Sequence, residues 1–471
     1  MMAVRNPVPL LALLEQRCQE GWLVGQDNQE FWAMVQLLRQ EFSYIRRSPN
    51  RPMSSIVLAE SDPLRLLAGF FAAYATVSRV FLGNPQWGIT EWQQAMAIAQ
   101  PDYIWGDSAP VLGEWDGGQW DGGRWDGGQW DGGEDRLMGM LHTEPLILIP
   151  TGGSSGQIRF VMHQWHTLTA AVVGFQQYFQ MEVINSICVL PLYHVSGLMQ
   201  GMRSLLSGGN LWITPFKLLK QGKEPPFLPQ DWCISLVPTQ LNGLLRSPLM
   251  AQWLAQCHTV FIGGAAPWPD LLQQARRQNI PLSLCYGMTD TSAQFSALKP
   301  RNFLEKQETM GEIFPHAQVI IVDEAGRSLP PYVIGQICVA AHSLALGYYP
   351  TGWSSGQTIT TPSGTVLFRT DDGGYLDKQG HLVLVGRISG KIITGGENVF
   401  PAEVEAAIWA TGLVRDVAVV GIPDDYWGQC VAAVYVPTNS DIGATDPQIL
   451  ATALHDRIAR YKHPKIWLPM A

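Results

Sequence analysis

Short apolar segments alternate with amphipathic ones along the first three hundred residues, and this pattern predicts parallel strands with helices packed against them. Alternation of strand and helix signals is typical of an α/β fold. Helix-like segments cover residues 63–75 and 91–99, and another begins at about residue 167. The strand-like segments are 56–59, 77–82, 146–149, 184–190, 232–237, 260–262 and 282–285.

The second part of the chain changes character twice. Residues 319–385 are rich in Val and Thr with glycine turns, which predicts a more antiparallel, β-rich section. Beyond residue 387, two helix-like segments (401–410 and 447–460) enclose two strand-like ones (417–421 and 431–436). A chain of 471 residues exceeds one ordinary core. We therefore predict a large N-terminal α/β domain of parallel or mixed sheets with helices and a β-rich section, and a small, mobile α+β C-terminal domain. Their predicted bounds are 1–386 and 387–471.

Composition narrows the classes of protein that remain. With 46% hydrophobic and 15% charged residues, the chain is typical of a globular protein with large cores. A formal charge of −9 argues against a general nucleic-acid binder, so a phosphate ligand would need local cations or a metal ion. Seven scattered cysteines form no CxxC pair, which suits a reducing compartment. No secretory signal or long apolar run is present, so we expect a cytoplasmic protein without stable membrane insertion.

One segment is a low-complexity repeat. Trp-Asp-Gly-Gly begins at Trp115 and recurs at Trp120, Trp125 and Trp130. A period of five matches neither a helix nor a strand, and paired glycines disfavour order. We predict a flexible loop without a chemical role over residues 115–133.

A glycine- and hydroxyl-rich loop follows the apolar segment 146–149 and is the first candidate site. Glycines let backbone N–H groups approach an anion, hydroxyls add donors and a cation adds charge. The candidate phosphate-binding residues are Thr151, Gly152, Gly153, Ser154, Ser155, Gly156 and Arg159. The Walker A pattern fails, because Gly156 is followed by Gln157. Two alternatives stay open: a plain surface loop, and a G-x-S-x-G nucleophile elbow of an α/β-hydrolase with Ser154 as nucleophile.

A second group of candidates follows the predicted strands 260–262 and 282–285. Ligands bind at the carboxyl ends of parallel strands in α/β enzymes. After the first strand, Gly263, Gly264 and Ala265 would admit a flat ligand, or form a tight turn. After the second come Tyr286, Gly287, Thr289 and Asp290. Tyr286 could stack on a base, Thr289 could bind a phosphate, and Asp290 could hold Mg²⁺.

Two further motifs lie near the predicted domain boundary. Asp371 and Asp372 precede paired glycines and could bind ribose hydroxyls or cap a β-hairpin. Arg387 follows Gly386, and the segment 391–401 combines paired glycines, Glu-Asn and a helix that begins at a proline. Each motif is modest alone, and their order along the chain is the stronger signal.

This ordered set resembles the adenylate-forming superfamily, which includes acyl-CoA synthetases and peptide-synthetase adenylation domains. Residues 151–156 match its phosphate loop, although Ile158 and Arg159 replace the usual Pro-Lys. Residues 286–290 match Y-G-x-T-E with Asp290 for Glu, and 370–372 match T-G-D with Asp371 for Gly. The resemblance implies ribose binding by Asp372, a role for Arg387 beside the domain hinge, and catalytic roles for Thr289 and Asp290. It also implies ATP and Mg²⁺ as cofactors.

Within that superfamily the chain most resembles the o-succinylbenzoate–CoA ligases. Residues 191–198 match their P-L-[FY]-H-[IV]-S-G-L, and Met-Arg-Ser follows at 202–204. The resemblance implies an acyl pocket lined by His194, Ser196, Gly197, Arg203 and Gln294. His194 would lie beside the reacting carboxylate. Arg203 would bind a second substrate carboxylate, or else belong to a structural salt bridge.

The implied activity is an AMP-forming acid–CoA ligase, acting on o-succinylbenzoate through an acyl-adenylate with coenzyme A as co-substrate. The implied partners are a small aryl acid, ATP and CoA, with no nucleic acid, and a homo-oligomer is left open. Another aryl- or acyl-CoA ligase is the first alternative. An α/β-hydrolase and a non-catalytic nucleotide or acyl binder are the others.

The last residues depart from the family pattern. Residues 460–465 match the approach to the family's adenylating lysine, but no Gly-Lys follows before Ala471. From this we expect slow adenylation by the chain as given, with thioester formation from a pre-made acyl-adenylate retained.

Overall fold

The computed structural model describes residues 10–45, 54–107, 144–152, 157–223, 225, 227–361, 363–394, 397–424, 426–438, 447–455 and 457–470. In these residues, four sheets and thirteen α-helices form a mixed α/β structure. The α/β prediction is confirmed. The repeat at residues 115–133 lies outside the described residues, as do Gly153, Ser154, Ser155 and Gly156.

The first sheet has six strands in the order β15-β5-β4-β2-β1-β3. Strands β1 to β4 pair in parallel, whereas β5 runs antiparallel to both β4 and β15. Every residue of β1 and β2 is buried, which explains their continuous apolar sequence. The strands are β1 Ser55–Leu58, β2 Arg79–Leu82, β3 Tyr103–Trp105, β4 Leu146–Gly152, β5 Ile158–His163 and β15 Gly347–Tyr348.

The second sheet has seven strands in the order β12-β11-β10-β9-β8-β6-β7. Strands β6 to β10 are parallel, and β11 and β12 add antiparallel strands at one edge. The strands are β6 Asn185–Cys188, β7 Leu211–Ile213, β8 Trp232–Leu236, β9 Thr259–Ile262, β10 Leu282–Met288, β11 Ala293–Ala297 and β12 Glu312–Ile313.

Helices cover both sheets and share two recurring start signals. Seven of them have a proline in the first turn, where its missing N–H costs nothing. Asp62 caps α3 by accepting from the Arg65 N–H at 2.8 Å. The helices are α1 Leu10–Gln19, α2 Asn28–Ser43, α3 Pro63–Tyr74, α4 Ile89–Ala99, α5 Trp165–Phe179, α6 Val195–Ser207, α7 Phe216–Lys220, α8 Pro238–Leu245, α9 Pro248–Ala255, α10 Pro269–Arg277, α11 Pro300–Leu304, α12 Pro401–Trp409 and α13 Pro447–Ala453.

The third sheet is antiparallel, as the β-rich composition predicts. Its order is β13-β14-β17-β16, with β18 paired to β17. The strands are β13 Ala317–Val322, β14 Gly335–Ala341, β16 Thr358–Thr360, β17 Val366–Leu376 and β18 Leu382–Arg387. Strand β17 is the longest strand of this sheet. Asp371 and Asp372 lie in its middle, where Asp372 pairs with Arg387 at the end of β18.

The fourth sheet is built from residues 392–469 alone. Its order is β20-β19-β22-β21, and β23 pairs in parallel with β22. The strands are β19 Ile392–Thr394, β20 Glu397–Val399, β21 Val414–Asp424, β22 Gly428–Pro437 and β23 Ile466–Pro469. The third sheet ends at Arg387 and the fourth begins at Ile392, close to the predicted boundary, which stays a prediction.

Most predicted elements are present, but one predicted helix is shorter than expected and one strand next to the site was missed. The helix predicted over 447–460 ends at Ala453, and a separate 3-10 turn covers Arg460–Lys462. Strand β5 was not predicted. In the described part of the chain, no helix is long and apolar enough to cross a membrane.

Candidate active site

The hairpin of β10 and β11 supports the candidate site. Gly287 faces Gln294 in its register, and a Cβ at Gly287 would lie 2.1 Å from the Ala293 carbonyl oxygen, so only glycine fits there. After Met288, a 3-10 turn covers Thr289–Thr291 and returns the chain into β11. This one hairpin therefore places Tyr286, Asp290 and Gln294, which belong to three separate groups of side chains.

The first group lies between the hairpin and β5. Arg159 pairs with Thr151 across β4 and β5, and its guanidinium lies 5.3 Å from the ring centroid of Tyr348. The Tyr348 phenol lies beside the Asp290 carboxylate, and the two groups shift each other's pKa. Burial raises the pKa of both groups, and the neighbouring Tyr348 phenol and Arg159 oppose this shift at Asp290. The group thus joins one cation to one buried acid through a phenol.

The Asp290 carboxylate has an open ligand position. Asp290 is 6% exposed, and its Oδ1 has no hydrogen-bond partner among the described residues. A buried oxygen without a partner is unfavourable unless a ligand completes it. Mg²⁺ is often held by one or two carboxylates together with substrate phosphates. Consistent with that mode, the described residues contain no cluster of three or more His, Cys, Asp or Glu side chains that could hold a metal alone. Asp290 therefore fits a phosphate-bound Mg²⁺.

The structure contradicts the setting that a nucleophile elbow needs. That motif requires a helix directly after the turn. Here β5 follows, antiparallel to β4, with Gly152 opposite Ile158. Helix α5 begins only at Trp165. Strands β4 and β5 thus form an antiparallel pair with no helix directly after β4, and the α/β-hydrolase alternative loses its structural basis.

The second group joins Tyr286, in strand β10 of the hairpin, to residues of β17 and β18. The Tyr286 hydroxyl donates to Asp372 Oδ2 at 2.7 Å, and Arg387 Nε lies 3.1 Å from Asp372 Oδ1. The Asp372 N–H donates to Thr370 Oγ1 at 3.1 Å. Burial raises the pKa of Asp372, opposed by Tyr286 and Arg387. Burial also raises the pKa of Tyr286 well above its usual value, so its phenol stays a donor. The group presents a carboxylate with polar partners on both oxygens.

The third group contains a buried arginine. Arg203, in α6, is 5% exposed, and its Nη2 donates to Gln294 Oε1 at 2.6 Å. The guanidinium carbon lies 4.3 Å from the ring centroid of Phe175. Burial lowers the pKa of Arg203 to about 10, and its Nε has no hydrogen-bond partner among the described residues. Among the described residues no ion pair joins a carboxylate to this guanidinium, and the role of Arg203 stays a prediction.

The motif before Arg203 forms the start of α6. His194 is the N-cap residue, and its ring contacts that of Tyr193 at 4.7 Å between centroids with an interplanar angle of 55°. The residue is exposed overall, yet neighbouring groups desolvate its ring enough to lower its pKa. Ser196 is exposed, whereas Gly197 is buried with no room for a Cβ, which would lie 2.1 Å from the Pro191 carbonyl oxygen. His194 and Ser196 are therefore free to meet a ligand, and Gly197 has a packing role.

The remaining candidates lie one strand away from the hairpin. Gly263 follows β9, and a Cβ there would approach the Cys285 carbonyl oxygen to 3.4 Å. Gly264 and Ala265 are exposed, and Gly264 has a φ of +80°, which favours glycine. Gly263 thus lies beside Cys285 of β10, whereas Gly264 lies beside Val237, which follows β8.

Three residues near the site were not predicted. Tyr348 and Phe175 belong to no recognisable motif, so the sequence gives no signal that they lie near the site. His163 could have been found, because residues 159, 161 and 163 share one face of a strand and Arg159 was already a candidate. That inference required β5 to be recognised.

Comparison with known proteins identifies a family for this chain. Residues 119–349 match the model of the AMP-binding enzymes, and residues 403–468 match that of the AMP-binding enzyme C-terminal domain. Together these regions make up more than half of the chain. The chain belongs to the AMP-binding enzyme family.

Individual relatives and solved structures are also similar to this chain. A 2-succinylbenzoate–CoA ligase of Enterococcus faecalis is 32% identical over 320 residues, which are 67% of this chain and 63% of that protein. An indoleacetate–CoA ligase of Aromatoleum aromaticum is 30% identical over 68% of this chain and 62% of that protein. The o-succinylbenzoate CoA synthetase of Bacillus subtilis, solved with its acyl-adenylate intermediate, superposes with a TM-score of 0.76 at 20% identity. That superposition covers 97% of this chain and 94% of the other, and it confirms the fold. The matched region thus spans less than two thirds of the length of the curated relatives.

Proposed function

We propose that the chain is an AMP-forming acid–CoA ligase that converts o-succinylbenzoate to its CoA thioester through an acyl-adenylate. The observation that carries the substrate assignment is the buried Arg203 guanidinium, which has no carboxylate partner among the described residues. A desolvated cation is stabilised by an anionic ligand. A dicarboxylic acid supplies one carboxylate for adenylation and a second for Arg203.

The nucleotide would occupy the first and second groups. Asp372 would accept the ribose hydroxyls, with Tyr286 beside it and Arg387 adding positive charge. Thr151, Arg159 and the loop residues 152–156 would hold phosphates, and Thr289 would contact the α-phosphate. Bound at Asp290, Mg²⁺ would supply charge neutralisation to those phosphates. Catalysis in this proposal rests on positioning and charge stabilisation by the protein.

The acid would occupy the space between α6 and β11. His194 would border the reacting carboxylate, while Arg203 and Gln294 would bind the distant one. Because Gln294 faces Gly287, the acid-binding and nucleotide-binding groups share one hairpin. This arrangement supports attack by a carboxylate held next to the α-phosphate.

The second half-reaction would use CoA and the residues after Arg387. We place the boundary between the large and small domains at residues 386 and 387, as the sequence predicts. Thioester formation then follows when the CoA thiol attacks the acyl carbon of the adenylate, releasing AMP.

The test is ATP–pyrophosphate exchange with o-succinylbenzoate, benzoate and indoleacetate, followed by product analysis. We expect exchange with o-succinylbenzoate, and AMP with acyl-CoA only when ATP, Mg²⁺, acid and CoA are all present. Faster exchange with indoleacetate would assign another aryl-CoA ligase activity. AMP binding without exchange on any acid would indicate a non-catalytic binder. Release of ADP and phosphate would refute the proposed class.

A further inference from the structure

A buried histidine next to the candidate site has no role in the proposed chemistry. His163 is the last residue of β5 and is 0% exposed. Its Nε2 lies 2.7 Å from the Thr289 carbonyl oxygen. This contact joins the first sheet to the 3-10 turn of the second sheet, across 126 positions of sequence.

The hydrogen-bond partners fix the tautomer of this ring. A carbonyl oxygen only accepts, so His163 Nε2 must carry the proton. The other nitrogen, Nδ1, faces two hydroxyls, Thr167 Oγ1 at 3.0 Å and Ser292 Oγ at 3.2 Å. Thr167 Oγ1 also lies 2.8 Å from the Gln164 carbonyl oxygen and Ser292 Oγ 2.9 Å from the Ser343 carbonyl oxygen, so a hydroxyl that donates to Nδ1 gives up its bond to that carbonyl. Burial lowers the pKa of His163 to about 4, which agrees with a neutral ring that donates through Nε2 alone.

The accepting carbonyl occupies a sensitive position in the turn. The Thr289 carbonyl also accepts from the Ser292 N–H at 3.1 Å, which closes the 3-10 turn. The same peptide unit carries the backbone N–H of Asp290. A bond that fixes this peptide plane therefore fixes where the Thr289 and Asp290 side chains leave the backbone.

We propose that His163 is a positioning residue, whose Nε2–H holds the Thr289 carbonyl and so aligns Thr289 and Asp290 with the phosphate-binding hairpin. This inference rests on the proposed adenylation. His163 and Arg159 lie on the same face of β5, so one strand presents the cation to the phosphates and braces the opposing turn. The ring itself is too deeply buried to touch the substrates.

Two amide variants separate this role from simple packing. In His163→Gln, the longer side chain brings an amide nitrogen near the position of Nε2, whereas in His163→Asn it reaches only the position of Nδ1. Both variants replace one buried imidazole with one buried amide. His316→Asn is the matched control, because His316 is buried and bonds only the Ser343 side chain, at Oγ and 3.0 Å; the variant leaves in place the Ser343 backbone carbonyl, which accepts from Ser292 Oγ beside the turn at 2.9 Å.

The assays are thermal unfolding, AMP binding without metal, and pyrophosphate exchange. We expect His163→Asn to lose about tenfold to hundredfold in the maximal adenylation rate, since misplacing reacting groups by about 1 Å has effects of that order. AMP affinity and KM for the acid should stay near wild type, because Asp372 and Arg203 are untouched. His163→Gln should recover most of the rate. His316→Asn should lower the unfolding temperature without lowering the rate.

Equal losses in His163→Gln and His163→Asn would overturn the proposal and leave His163 a packing residue. A wild-type protein that adenylates no acid would instead refute the proposed function, and these variants could not cause that result. If neither variant folds, a neutron structure of the wild-type protein tests directly which nitrogen of His163 carries the proton. A deuteron on Nε2 directed at Thr289 is expected, and a deuteron on Nδ1 alone would overturn the assignment.

Discussion

Replacement of Arg203 by methionine should change stability and activity in opposite directions. Methionine is unbranched and flexible, so it can fill the space along Phe175 without a charge. Burial lowers the pKa of Arg203 from 12.5 to about 10. At about 1.4 kcal/mol per unit, keeping this group charged in the ligand-free fold costs roughly 3 kcal/mol.

The folded and unfolded states differ in how favourably they hold the charged guanidinium of Arg203. The folded state disfavours the charged guanidinium, so below pH 10 the charge reduces the free energy of unfolding. Arg203→Met removes that penalty but also removes the bond to Gln294 and contact with Phe175, worth about 1 kcal/mol or more. We therefore expect the ligand-free variant to be more stable by about 1–2 kcal/mol, measured by urea unfolding at pH 7.

Activity should fall only for acids with a second carboxylate. A hydrogen bond to a charged group contributes about 1.5–3 kcal/mol, or roughly tenfold to 150-fold in kcat/KM. The assay is pyrophosphate exchange with o-succinylbenzoate and with a monocarboxylic analogue. A variant that loses stability, and that loses both activities equally, would refute the reasoning and make Arg203 structural.

Three further predictions concern other groups. Tyr348→Phe removes the hydroxyl that lies beside buried Asp290 and should lower adenylation about tenfold. Thioester formation from pre-made acyl-adenylate should stay normal, and equal loss in both steps would contradict this. Asp372→Asn should weaken AMP binding by about 1.5–3 kcal/mol in calorimetry, with KM for the acid unchanged. Burial, with His342 nearby, lowers the pKa of His316 from 6.5 to about 4. The folded protein therefore favours the neutral imidazole. This contribution to stability is fully present above pH 6.5 and is lost as the pH falls towards 4. His316→Gln should therefore lose about 2 kcal/mol less unfolding free energy than wild type between pH 7 and pH 5, and parallel pH profiles would contradict this.

The sequence predicted strands well where both faces of the strand are buried. Continuous apolar segments became β1, β2 and β9, because strands covered on both faces carry no polar alternation. Strand β5 was missed because Arg159 and His163 interrupt its apolar pattern. Those two polar residues face the site, so the segment departs from the pattern for reasons of chemistry and not of packing.

The site was predicted through motifs and not through geometry. Tyr286, Asp290 and Asp372 were found because family patterns mark them. The contacts among them were not predictable, since Tyr286 and Asp372 are 86 residues apart. Tyr348 lies outside every motif, and only folding brings its hydroxyl to Asp290. Sequence spacing carries no information on such long-range contacts.

The two neighbouring aspartates of β17 face different surroundings, because successive side chains of a strand point to opposite sides. Asp372 meets Tyr286, whereas Asp371 accepts from the Ser389 N–H at 3.0 Å and from the Ser389 hydroxyl. The Asp371 carbonyl also accepts from the Ile388 N–H at 2.7 Å. A rotation that moves Ile388 and Ser389 away from Asp371 must first break these three hydrogen bonds. It would leave the Asp371 carboxylate with Arg387 alone, whose Nη1 lies 3.7 Å from its Oδ2 and which also pairs with Asp372. Repulsion between the two neighbouring carboxylates would then oppose the opened form most strongly at low salt.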